Sequence, residues 1–205
     1  MTTDQLKKYD FIVLVDKSGS MSTADCPGGK SRWDYAQENV LAIARECQKY
    51  DDNGITVGVF ANKLKLYENV TDGAGMLEKI FAENQPGGST DTAAALDHVI
   101  QEYLATKSTA TCKHIIVVII TDGIPDDEKA LVKVIVDATK KISTREEIGL
   151  EFIQIGKDQH AHEFLDRLDN NMTKEGAALD IVNAVTADDL GDQLISDVLI
   201  KSLTD

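Results

Sequence analysis

The chain has 205 residues, 42% of them hydrophobic, and a formal net charge of −14 from 35 acids against 21 bases. That length and composition fit one domain with a full core, and the acidity argues against a nucleic-acid partner, whose backbone needs a basic face. No apolar run can cross a membrane, since the longest, Ile115–Ile120, is strand-sized.

The first ten residues, Met1 to Asp10, are polar and of mixed charge, so they do not read as a signal peptide. Phe11-Ile12-Val13-Leu14-Val15 reads as a strand buried on both faces. It runs straight into Asp16-Lys17-Ser18-Gly19-Ser20. In an open α/β sheet, ligands bind beyond the carboxyl ends of the strands. Asp16, Ser18 and Ser20 therefore place three small oxygen-bearing side chains where such folds keep their sites. Oxygen donors of this kind suit a hard cation. The same residues are also ordinary turn and helix-cap residues, so the motif alone decides little.

Met21 to Arg32 reads as an exposed lip, marked by Pro27, Gly28 and Gly29. Its Gly29-Lys30-Ser31 lacks the earlier glycine and the preceding strand of a phosphate-binding loop. Trp33 to Tyr50 reads as a helix with Trp33, Ala36, Val40, Ile43, Ala44 and Cys47 on one face. Ile55–Phe60 and Leu64–Val70 read as a strand hairpin, the second strand antiparallel at the sheet edge. Asp72 can cap a short helix from Gly73 to Phe81. Pro86 to Thr92 is a loop of glycines and hydroxyls that leads into a helix from Ala93 to Leu104. Ile115–Ile120 is the central strand and ends in Thr121-Asp122-Gly123-Ile124-Pro125-Asp126-Asp127. Asp126 or Asp127 can cap the following helix, which runs to about Ile142.

Leu150–Ile155 is a further strand, Ala161–Leu168 a short helix, and Leu179–Val182 a last short strand. Asp188 to Leu203 closes the chain as a helix with Leu190, Leu194, Ile195, Val198, Leu199 and Leu203 on one side. His98 and His114 read as packing residues, and His160 and His162 as solvated capping residues at a helix start. Cys26, Cys47 and Cys112 are an odd number at no metal-like spacing, which reads as reduced thiols in a cytoplasmic protein. Strands alternating with helices predict a Rossmann-like three-layer α/β sandwich. Its mostly parallel sheet has about six strands, one antiparallel edge strand, and helices on both faces.

Parallel strands all point their carboxyl ends one way, so the loops at Asp16–Ser20, Gly88–Asp91 and Asp122–Asp126 should converge. Together they offer two serines, one threonine and two aspartates, enough to fill much of an octahedron around Mg²⁺. Asp-Lys-Ser-Gly-Ser, then Gly-Ser-Thr-Asp, then Thr-Asp-Gly resembles the metal-ion-dependent adhesion site of von Willebrand factor type A (vWA) domains, here of the intracellular bacterial type. The likeness runs from about Tyr9 to Leu203, one domain. It implies that Ser18 and Ser20 bind the metal directly and Thr90 directly or through water. Asp16 and Asp122 are implied to act through bridging water, with Asp91 outside them. It further implies a non-enzymatic module whose Mg²⁺, or Mn²⁺ or Ca²⁺, takes an Asp or Glu from a protein partner. Intracellular relatives work with AAA+ ATPases or in stress- and metal-resistance systems, so those are the partners implied. Two alternatives stand beside this. One is a scaffold without metal. The other is a Mg²⁺-dependent hydrolase or phosphotransferase with Asp16 as nucleophile. A haloacid-dehalogenase-like enzyme would want an acid two residues after Asp16, and Ser18 stands there instead.

Overall fold

The computed structural model describes residues 3–51, 53–71, 75–109, 111–191, 195–201 and 203. Six strands form one sheet: β1 (Tyr9–Asp16), β2 (Ile55–Phe60), β3 (Leu64–Val70), β4 (His114–Thr121), β5 (Ile148–Gln154) and β6 (Val182–Thr186). Their order is β3-β2-β1-β4-β5-β6. All neighbours pair in parallel except β2 and β3, the antiparallel hairpin at one edge. The helices are α1 (Arg32–Cys47), α2 (Met76–Glu83), α3 (Thr92–Thr106), α4 (Glu128–Thr139), α5 (Gln159–Asn171), α6 (Ala187–Gly191) and α7 (Ile195–Lys201).

Two apolar layers hold the sandwich. On one face, Phe11, Val13, Val15, Val118 and Ile120 of the sheet pack with α1, α2, α6 and α7. On the other, Leu14, Val117, Ile119 and Phe152 pack with α3, α4 and α5. β1 and β4 lie side by side at the centre, and their alternating side chains feed both layers. Continuous apolar runs are what a strand covered on both sides requires. The chain leaves β1 for a helix on one face and leaves β4 for a helix on the opposite face. The strand order therefore reverses between them, and a crevice opens at their carboxyl ends.

β2 and β3 and the buried face of α1 match expectation, Trp33, Ala36, Val40, Ile43, Ala44 and Cys47 all being buried. Several boundaries move. The last strand is Val182–Thr186 rather than Leu179–Val182. Its polar Asn183 hid it from an apolar-run reading, yet Asn183 is buried and donates to Glu151 of β5. The expected closing helix is described over α6 and α7; Leu194, between them, lies outside the described residues. Asp72 and Gly73 also lie outside them, and α2 begins after Gly75. The segment from Met21 to Arg32 is more than a lip. It forms two short 3₁₀ turns, Gly19–Ser22 and Pro27–Gly29, and buries Met21 completely. His98 is exposed beside Glu102 rather than packed, whereas His114 lies edge-on to Tyr9. His162 meets Gln154 at 3.3 Å, and Asp158, not a histidine, caps α5. Cys26, Cys47 and Cys112 are free thiols.

Candidate metal centre

Pairing of Val15 with Ile120 sets Asp16 beside Thr121 at the ends of the two central strands. Asp16 is fully buried. One of its carboxylate oxygens accepts the backbone N–H of Ser18 at 2.7 Å, and the other accepts the Thr121 hydroxyl at 2.8 Å. Burial pushes its carboxyl up to about 6, and the nearby Asp122 charge pushes the same way, against the two hydrogen bonds. The Ser18 and Ser20 hydroxyls lie 3.1 Å apart, and the Ser20 hydroxyl donates to Asp122 Oδ1 at 2.9 Å. Asp122 is itself buried. The first and third loops are thus joined twice, through Thr121 to Asp16 and through Ser20 to Asp122.

The second loop is stitched to the first through the backbone. Gly87 N–H donates to Lys17 C=O at 2.6 Å, and Gly19 N–H donates to Gly88 C=O at 3.3 Å. Gly88 has φ +95, and a Cβ there would fall 2.3 Å from Asn62 Oδ1, so this turn needs glycine. The second loop is also tied to the third. Thr90 N–H donates to Asp126 Oδ1 at 3.0 Å, and Asp126 N–H donates to Thr90 C=O at 2.9 Å. Thr90 is buried at the rim of the crevice. Asp16, Ser18, Ser20, Thr90 and Asp122 therefore sit on three interlocked loops. Asp91 does not join them, because its side chain caps α3 by accepting Ala94 N–H at 3.1 Å.

Two residues have roles that sequence pattern does not show. Of the two candidate caps for α4, Asp127 is the cap, accepting Ala130 N–H at 2.9 Å, and Asp126 instead holds Thr90. Arg32, at the end of the expected lip, is the other. Its guanidinium forks onto Asp25, with contacts of 2.9 and 2.6 Å, and reaches Asp122 Oδ2 at 2.7 Å. This holds the Asp25 carboxyl below its ordinary range. A local signal was present in the sequence. An arginine in the first turn of a helix opposes the helix dipole, so its placement there asks for an anion. Lys30 and Ser31 are accounted for structurally, by Glu38 at 2.5 Å and by capping α1.

The profile of the von Willebrand factor type A domain matches residues 11–124. The chain belongs to the von Willebrand factor type A domain family. Members of this family are often metal-dependent and mediate protein interactions. No match was found among curated protein sequences. Solved structures repeat the vWA fold at low identity. Manganese-loaded TRAP protein of Plasmodium vivax aligns with TM-score 0.61 and 18% identity over 97% of this chain and 74% of that one. An aerotolerance-related membrane protein of Bacteroides fragilis, carrying multiple mutations to serines, gives 0.60 and 15% over 94% and 99%. The conserved hypothetical protein BatB of Bacteroides thetaiotaomicron gives 0.58 and 16% over 96% and 100%.

Among the described residues, no group of three or more His, Cys, Asp or Glu side chains is placed to hold a metal. The vWA crevice instead combines two carboxylates with hydroxyls, all hard oxygen donors. That donor set fits Mg²⁺, Mn²⁺ or Ca²⁺ and not a soft metal. No helix among the described residues is long and apolar enough to cross a membrane.

Proposed function

We propose that this vWA domain is a divalent-cation-dependent protein-binding module with a metal-ion-dependent adhesion site, which takes an acidic side chain from its partner. One observation carries the reading: the unbroken path Thr121, Asp16, Ser18, Ser20, Asp122 across the central crevice. Ser18, Ser20 and Thr90 would hold the ion through hydroxyls, with Asp16 and Asp122 acting through water. Mg²⁺ is the first candidate, and Mn²⁺ and Ca²⁺ suit the same donors. When bound, the ion supplies a concentrated positive charge that an Asp or Glu of the partner can complete.

The chain's own residues supply the rest. Backbone stitches fix the three loops, and the two buried carboxylates furnish negative charge without crowding the hydroxyls. Neutral hydroxyl contacts leave the cation underneutralised, which favours an external anion over closure by the protein itself. The acidic remainder of the surface then selects partners that carry bases elsewhere. Asp16 as an enzymatic nucleophile is disfavoured, because it is fully buried and both its oxygens accept hydrogen bonds. We therefore read the domain as non-enzymatic. We also read it as cytoplasmic, with an AAA+ ATPase or a stress-resistance complex as the partner class the family likeness suggests.

Calorimetric titration with Mg²⁺ tests the reading directly. The natural chain should show saturable heat, while Asp16→Ala and Thr90→Ala should show none and keep the native circular dichroism. Full affinity in both variants overturns the assignment. Affinity capture from the native host, with and without chelator, would then identify a partner whose retention depends on the cation.

A further inference from the structure

Arg32 stands out because the adhesion site already has a cation of its own. The guanidinium is mostly buried, its side chain 13% exposed. Three of its N–H groups are spent on two carboxylates, Asp25 on the loop of residues 23–31 and Asp122 in the metal crevice. It lies in a slot built for it. Gly156 follows β5 with φ +80, and a Cβ there would come within 2.7 Å of Arg32 Nε. Arg32 N–H also donates to Thr23 C=O at 2.9 Å, so the same residue anchors the loop through backbone and side chain.

We propose that Arg32 is an internal counter-cation of the adhesion site, competing electrostatically with the divalent ion at Asp122 and coupling that ion to the 23–31 loop through Asp25. The proposal rests on the metal-dependent reading above. Asp122 Oδ1 is held independently by Ser20, so its orientation does not need Arg32. What Arg32 adds is positive charge on the same carboxylate whose other oxygen is joined to the Ser20 hydroxyl of the adhesion site. Two cations sharing one buried carboxylate repel, and in a partly buried crevice that repulsion is weakly screened. Asp25 moderates it by taking the other two guanidinium contacts. A partner that pulls Asp25 or its loop aside would thereby change the site's appetite for metal. This gives the long segment after the first motif a task that composition alone did not suggest.

The test exploits opposite signs. Arg32→Gln removes the competing charge and should tighten Mg²⁺ binding about fivefold in calorimetry. Asp25→Asn leaves the guanidinium uncompensated beside Asp122 and should weaken Mg²⁺ binding about threefold. Arg32→Lys keeps the charge and should stay near the natural affinity. A merely structural ion pair would shift Arg32→Gln and Asp25→Asn in the same direction, since both break the same contact. Circular dichroism checks that each variant folds, and should Arg32→Gln fail that check, Arg32→Met, which also removes the charge, takes its place in the comparison of signs. If the natural chain binds Mg²⁺ but the two variants move together, or neither moves, this inference is overturned and the metal reading stands. If the natural chain binds no divalent ion, the metal reading falls and takes the inference with it.

Discussion

Asp16 shows how much a single carboxylate can be asked to tolerate. It is walled in at the end of β1 and satisfied by one backbone N–H and one hydroxyl, yet burial still lifts it from 3.8 to about 6. The folded chain therefore keeps this proton until about pH 6, whereas the unfolded chain gives it up near 4. Between those values the folded state binds more protons, so its stability falls as pH rises, and the cost is fully present above 6. In chelator, the melting temperature should rise as pH is lowered from 7 to 5, reflecting a contribution of about 1 kcal/mol over that range. Asp16→Asn should flatten that portion of the profile and stabilise the chelated protein at pH 7, since the Thr121 hydroxyl can turn to accept from the amide. An unchanged slope in thermal melts of Asp16→Asn would show that other groups govern it.

At the scale of elements, neighbouring acids in one turn do different jobs. Asp127 caps α4 and Asp126 secures the second loop to the third. Asp127→Ala should cost about 1 kcal/mol of stability in urea melts and leave metal affinity alone. Asp126→Ala should do the reverse: a small loss of stability, and Mg²⁺ binding weakened at least severalfold because Thr90 N–H loses its carboxylate acceptor and only the backbone bond remains. Sequence pattern could not separate these two, since both offer the same side chain at a helix start. It did find β1, β2, β4 and β5, because buried parallel strands are written as short runs of Val, Ile and Leu, and β3 as the hairpin partner of β2. It placed the last strand several residues early because Asn183 breaks the run, and the Glu151 contact that justifies a buried amide is remote in sequence. The meeting of Asp16, Ser18, Ser20, Thr90 and Asp122 on neighbouring loops was legible because each lies just after a strand or just before a helix. Arg32 was not, since its meaning comes from Asp25 and Asp122, the latter 90 positions away.

For the whole molecule, the crevice is a result of connectivity. β1 and β4 send the chain to opposite faces, so their ends cannot be covered by either helix layer. A cation bound there would bridge the loop after β1, the loop between α2 and α3 and the loop after β4, and should resist global unfolding. At a Mg²⁺ concentration 100 times its dissociation constant, mass action adds about 2.7 kcal/mol. The melting temperature should then rise by about 5–10 °C for a domain of this size. Asp16→Ala should abolish the rise, and an equal rise in that variant would point to nonspecific screening of the acidic surface.

The stitches between Lys17 and Gly87, and between Gly19 and Gly88, run through main-chain atoms only. No exchange of an exposed side chain can sever them. The rim around the crevice, exposed Ile124 among it, is thus free to be rewritten for a new client while the cradle beneath keeps its shape. A library varied only at such outward positions should yield altered binding preferences without losing the fold, which makes this scaffold a practical starting point for engineered recognition.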